Sequence, residues 1–248
     1  ITPYVILGLA SLTVVYGGLQ ALVQSDIKRL LAYSTIENTS LMVLALALYR
    51  VTGITTLLIA AMMLALAHGY FKSSLFMNSG LVEIAVHTRE LPKLGFLSRF
   101  MPSSTASALI SVLSLLGVPP TMGFLAKLYL FAGLVEVVYM NAGMGIPMLV
   151  MAAVGAGLAV AYGIRYLTVY WGSPEAAHHD VDVPREGLLT KSELILSLMN
   201  VILAVPLFIA FAAANLVALE PVYLAPFAIV EIAFLVVLYH VYTHTKSI

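Results

Sequence analysis

Two lysines stand where a lysine is hardest to keep. Lys72 lies in the stretch Leu66-Ala67-His68-Gly69-Tyr70-Phe71-Lys72, with apolar turns on both sides, and Lys127 lies in Gly123-Phe124-Leu125-Ala126-Lys127. Inside a bilayer an ionisable residue costs about 3 kcal/mol or more on insertion scales, so such groups normally face the bundle interior and mark ion pathways. Snorkelling to an interface is the plain alternative, and it suits Lys127 better than Lys72. His68 and Lys72 are spaced i, i+4 and share one helix face. Histidine titrates near neutrality, so the pair is fitted to pass a proton along. For His68 alone, a bond to a carbonyl of a neighbouring helix is the competing reading. Acidic partners are available in Glu37, Glu136 and Glu231, each within an apolar run. Glu37 could pair with a lysine or hydrate a channel mouth, Glu136 is an accessory candidate, and Glu231 could serve a partner interface. His178, His179, Asp180 and Asp182 have the composition of a metal cluster but read as a solvated loop, and no metal site is expected. Tyr and Met residues in the apolar runs are read as lipid-facing or packing residues.

The elements that must position these groups are long apolar runs. Hydrophobic residues make up 61% of the chain and charged residues 10%, against about 25% charged in ordinary soluble domains, so a water-facing surface could not be covered. Net charge is zero, which gives no electrostatic case for nucleic acid. The absence of cysteine excludes disulfides, thiolate zinc sites and Fe–S ligation by this chain. A spanning helix needs roughly 20 apolar residues, and such runs cover Pro3 to Gln24, Leu30 to Tyr49, Gly53 to Val82, Met101 to Tyr139, Ile146 to Trp171, Leu194 to Leu219 and Val222 to Tyr242. Alternating strand patterns are absent, so an all-α, polytopic transmembrane bundle of about seven spans is expected rather than a barrel. The chain starts with Ile1 already inside an apolar run, with no basic n-region, and is expected to begin partway through a larger protein.

The run from Met101 to Tyr139 is interrupted by Gly117-Val118-Pro119-Pro120-Thr121-Met122-Gly123, and prolines and glycines break a helix. It forms either two short helices with a surface turn or one discontinuous helix broken within the bilayer. Charge placement decides. With a single broken crossing, Lys28, Arg29, Arg89, Lys93, Arg99, Arg165, Arg185, Lys191 and Lys246 all fall on one side, and only Arg50 falls on the other. Two crossings would split them about evenly, against the positive-inside rule. A single crossing broken at 117–123 is therefore expected, with the basic loops cytoplasmic in a cell membrane. Freed backbone groups at the break must face protein or a hydrated cavity. Discontinuous helices of this kind recur at transporter sites, although a kink needed only for packing is the alternative.

Three segments carry a family resemblance. They are Ser25-Asp26-Ile27-Lys28-Arg29-Leu30-Leu31-Ala32-Tyr33-Ser34-Thr35, His68-Gly69-Tyr70-Phe71-Lys72-Ser73-Ser74-Leu75-Phe76, and Gly117-Val118-Pro119-Pro120-Thr121-Met122-Gly123-Phe124-Leu125-Ala126-Lys127. In order and spacing the chain resembles the second half of the antiporter-like subunits shared by respiratory complex I, multisubunit Na+/H+ antiporters and membrane-bound hydrogenases. Glu37-Asn38 and Thr88-Arg89-Glu90 resemble the hydrogenase-type members, and Gly123 to Tyr129 the quinone-side complex I subunit. The resemblance implies a five-helix repeat over 1–171, the second of an inverted pair. A polar loop over 172–191 and two C-terminal helices over 192–248 follow it. It implies that Lys72 is the lysine before the broken helix, His68 its relay neighbour, Lys127 the lysine of the broken helix, and Lys28 a lysine at the cytoplasmic end of its helix. Gly117, Pro119, Pro120 and Gly123 would form the break. The implied function is translocation of H+, or Na+, by a non-redox subunit of a redox-driven complex. A stand-alone or multisubunit cation/proton antiporter is the alternative. Other membrane subunits are the implied partners, and no cofactor is expected in this chain.

Overall fold

Spacing of small and apolar residues at helical intervals builds every element of the computed structural model, which describes residues 2–173, 187–213 and Ile232. The helices are α1 (Thr2–Val23), α2 (Ile27–Thr52), α3 (Thr55–Val86), α4 (Pro102–Leu116), α5 (Met122–Met140), α6 (Ala142–Trp171), α7 (Leu188–Ile202) and α8 (Ala204–Ala213). Six stretches are long and apolar enough to cross a membrane: α1, α2, α3, α5, α6 and Leu188–Phe211. No β-strand forms among the described residues. The seventh expected span, Glu231 within it, and the His178, His179, Asp180 and Asp182 group lie outside the described residues.

The break in the fourth run is real, and the run crosses once. Met101, at the start of α4, clusters with Leu81 and Ala85 at the end of α3. Asn78 then bonds the Ser104 carbonyl at 2.9 Å, Ser74 meets Ser107 and Ser111, each at 2.9 Å, Gly133 abuts Leu57, and Thr56 donates to Glu136 at 2.7 Å. One helix runs down as the other two run up in line, so α4, the break and α5 together lie antiparallel to the whole of α3. A hairpin would have reversed that order halfway.

The break is capped on both sides, which removes the cost of stranding backbone groups in hydrocarbon. Gly117 ends α4 in the left-handed region (φ 86°), and its N–H reaches back to the Leu113 and Ser114 carbonyls; glycine takes this conformation without a Cβ clash. The Thr121 hydroxyl accepts from Phe124 N at 3.3 Å and starts α5. A cis peptide joins Pro119 to Pro120 between the two caps.

Chain order is closed at the end that holds Lys28. Asp26 caps α2, accepting from Lys28 N at 2.8 Å and Arg29 N at 3.1 Å. The connector from 87 to 101 is stitched to it by Ile27 N to Arg89 O (3.0 Å) and Leu91 N to Ser25 O (2.7 Å), and to the end of α6 by Phe96 N to Gly172 O (3.1 Å). Arg165 donates to the Leu22 carbonyl at the same end. We call this the basic end. Large apolar side chains such as Leu9, Leu12, Tyr16, Leu19 and Val23 point outward from α1, as expected of a helix whose solvent is lipid. The sixth span starts at Leu188 rather than at Leu194, where hydropathy places it, because its first turns carry polar residues that face inward.

Candidate functional site

The site grows from a polar face of α2. Ser34, Glu37 and Asn38 are buried on that helix, spaced so that Ser34 lies one turn from both acidic and amide groups. Asn38 donates to the Ser34 carbonyl and to Glu37 Oε2, each at 2.8 Å. From α6 the Tyr162 hydroxyl donates to the same carboxylate oxygen at 2.6 Å. Glu37 is thus held between α1, α2 and α6 by two donors, with α6 approaching closely at Gly155.

Lys72 reaches the same face from α3. Its Nζ donates to the Leu31 carbonyl at 3.0 Å and to the Ser34 hydroxyl. The amine therefore sits one turn along α2 from Glu37, and both side chains are buried. Lys72 is far from a surface to which it could snorkel. His68 lies one turn away on α3, but the amine of Lys72 is turned towards α2. The His68 ring packs edge-on against Phe71, with centroids 5.3 Å apart. Among the described residues its buried Nδ1 has no hydrogen-bond partner. The two are neighbours on one face without being directly bonded.

Lys127 is set against the break. Its Nζ donates to the Leu116 carbonyl at 2.8 Å, the last residue of α4, and its alkyl stem lies over Gly117, where a Cβ would come within 2.7 Å of its Cδ. An ammonium at a helix C-terminus is favoured by the aligned peptide dipoles. Leu116 is the fourteenth residue after Pro102, so Lys127 sits about 20 Å along from the basic end of α4. Gly123 permits this packing: a Cβ there would lie 1.7 Å from the Ser114 carbonyl oxygen. Gly117, Pro119, Pro120 and Gly123 thus fall at one place, as expected.

The remaining candidates lie elsewhere. Lys28 is half-exposed at the basic end and pairs with Glu83 at 2.5 Å. Arg89 approaches Asp26 at 3.4 Å and Glu83 at 3.6 Å. Glu136 accepts from Thr56 at the opposite end of the bundle and is not brought to the lysines. Among the described residues no group of three or more His, Asp or Glu could hold a metal ion.

Two sets of residues escape the sequence reading. Tyr162, Tyr166 and Tyr170 read there as lipid-facing or packing residues, but all three are fully buried and bonded: Tyr162 to Glu37, and Tyr166 and Tyr170 to Asn78 Oδ1 at 2.7 and 2.8 Å. Their i, i+4, i+8 spacing is the available signal. Glu193 is the second case. It is wholly buried on α7, accepting from Ser104 at 2.5 Å and Asn78 at 3.2 Å. It falls just before the run that hydropathy marks out.

The family described as NADH:quinone oxidoreductase/Mrp antiporter, TM, matches residues 1–168. Hydrogenase-4 component B of Escherichia coli (strain K12) is 31% identical over 212 residues, covering 80% of this chain and 31% of that protein. A probable K(+)/H(+) antiporter subunit of Rhizobium meliloti (strain 1021) is 36% identical over 183 residues, covering 73% of this chain and 17% of that protein. Among solved structures, the membrane-bound sulfane sulfur reductase, an archaeal respiratory membrane complex, contains a chain that superposes with a TM-score of 0.68 at 30% identity. That match covers 82% of this chain and 32% of the other. The chain spans less than a third of the length of these curated relatives.

Proposed function

This chain belongs to the NADH:quinone oxidoreductase/Mrp antiporter transmembrane family, and from that premise we propose that it carries protons through the membrane as one subunit of a redox-driven pump. The observation that carries this reading is the buried set formed by Glu37, Ser34 and Lys72, with Lys127 closing the end of α4. Amine, imidazole and carboxylate exchange protons. An ammonium has no lone pair to offer a metal cation, so H+ fits this site better than Na+. Protons arrive near Lys28 or through water around Glu37, pass by His68 and Lys72, and reach Lys127 beside the break. A neutral lysine accepts and a charged lysine donates, and a change of charge on one member alters the proton affinity of the others. Residues 1–171 carry these groups and act as the moving-charge unit. We place electron transfer in other subunits, a reading supported by the lack of any cysteine in these 248 residues to ligate an Fe–S cluster. The basic end faces the cytoplasm of a cell membrane.

Membership of a cation/proton antiporter is the second reading, favoured by the likeness to the Rhizobium meliloti protein. Purification separates them, since hydrophilic redox subunits accompany only the first. Ion transport by the intact complex in proteoliposomes tests the site under the first. Lys72→Ala is expected to lower the ions moved per electron while assembly holds. Unchanged stoichiometry would remove Lys72 from the path.

A further inference from the structure

The helix α7 is inside out. Thr190, Glu193, Ser197 and Asn200 are buried, while Leu188, Ile195, Leu198 and Ile202 face outward. The inward residues repeat at intervals of three, four and three, and so do Ser104, Ser107, Ser111 and Ser114 on α4. This spacing lines each set along one helix face, and the two faces meet. Ser104 donates to Glu193 Oε1 at 2.5 Å. Ser107 and Ser74 each donate to the Glu193 carbonyl at 3.0 Å, and Ser111 donates to Ser74 at 2.9 Å. Ser114 donates to Asn200 at 2.8 Å and accepts from Gly123 N at 3.3 Å. Gly123 stands one turn before Lys127 on the same face of α5. A polar seam therefore runs from the basic end of α4 to the break.

Interhelical hydrogen bonds also hold membrane helices together without moving anything. Serine and asparagine would suffice for that. A carboxylate is a costly addition, and no cation lies within ion-pair distance of Glu193 among the described residues. Among the described residues its oxygens accept from Ser104 and Asn78, with the Tyr166 and Tyr170 hydroxyls behind Asn78. The group is buried and ionisable, and it lies at one end of a stripe of serines in which Ser107, Ser74 and Ser111 are bonded in sequence.

We propose that the α4/α7 seam is a second proton route from the basic end to Lys127, with Glu193 as its proton-holding group. The carboxylate takes a proton from the basic end and becomes a carboxylic acid. Each hydroxyl along the seam then accepts a proton on oxygen as it releases its own, with a water molecule as carrier from Ser104 to Ser107, from Ser111 to Ser114 and from Ser114 to Lys127. The neutral Lys127 amine takes the last one and becomes an ammonium, and Glu193 returns to carboxylate. This inference rests on the proton-carrying reading above.

The test measures proton translocation per electron by the assembled complex in proteoliposomes for wild type, Glu193→Gln, Glu193→Asp and Lys72→Ala. Glutamine keeps the size and the hydrogen-bond acceptor but cannot cycle a proton. Glu193→Gln is expected to lose about tenfold or more in translocation rate, as on removing a proton-transfer group, with Glu193→Asp largely restoring it. Full activity in Glu193→Gln beside a defect in Lys72→Ala overturns the seam and leaves the proton reading standing. No defect in either variant overturns both. Should Glu193→Gln fail to assemble, the wild-type complex carries the test through dicyclohexylcarbodiimide, which reacts with protonated carboxyls in apolar surroundings. Mass spectrometry is expected to find Glu193 labelled, with translocation falling in step, and an unlabelled Glu193 overturns the proposal.

Discussion

Tyr162 shows how much one hydroxyl does beside a buried carboxylate. It donates to Glu37 at 2.6 Å, and among the described residues the one other donor to that oxygen is Asn38. Tyr162→Phe deletes the donor and little volume, leaving a buried acceptor underserved at a cost of about 1–3 kcal/mol. The thermal midpoint of the purified protein should drop accordingly, and an unchanged midpoint would mean that water replaces the hydroxyl. Lys28 is the contrasting case. Its pair with Glu83 is about a third exposed on both sides, and such pairs contribute about 1 kcal/mol or less. Lys28→Ala should leave thermal stability nearly unchanged. Any loss of translocation in that variant therefore reports on the proton path and not on folding.

At the scale of elements, the break depends on one close approach. A Cβ at Gly123 would sit 1.7 Å from the Ser114 carbonyl oxygen, which is backbone and cannot rotate away. Gly123→Ala should separate α5 from the end of α4, costing about 1–3 kcal/mol or more as overpacking does. It should also move Lys127 off the Leu116 carbonyl. Gly157 on α6 has no atom within 4 Å of where its Cβ would be, so Gly157→Ala should be neutral. Yield of folded protein and translocation, measured side by side, check the pair. Equal behaviour of the two variants would show that the α4/α5 contact is not needed.

For the whole molecule, orientation sets the direction of transport, and the absence of cysteine from these 248 residues lets single introduced cysteines report it. Lys93 lies in the basic connector and Thr55 at the far end, where α3 begins. In whole cells a membrane-impermeant maleimide should leave Lys93→Cys unlabelled until the cytoplasm is opened, and should label Thr55→Cys at once. The reverse pattern would invert the proposed direction of proton uptake.

Much of this architecture was legible beforehand because membrane helices obey coarse rules. Apolar length marked the spans, Gly117 to Gly123 marked the break, and the uneven distribution of basic residues selected a single crossing over a hairpin. Lys72 and Lys127 were conspicuous because charge in an apolar run is expensive. What those residues bond to was not legible. Ser34 under Lys72, the Leu116 carbonyl under Lys127 and Tyr162 over Glu37 come from other helices, and one-dimensional periodicity carries no information about which faces meet. Glu193 shows the limit most clearly. Its polar spacing along α7 was present in the chain, but a polar stripe faces either water or protein. Only the packing of α7 against the serines of α4 turned it inward.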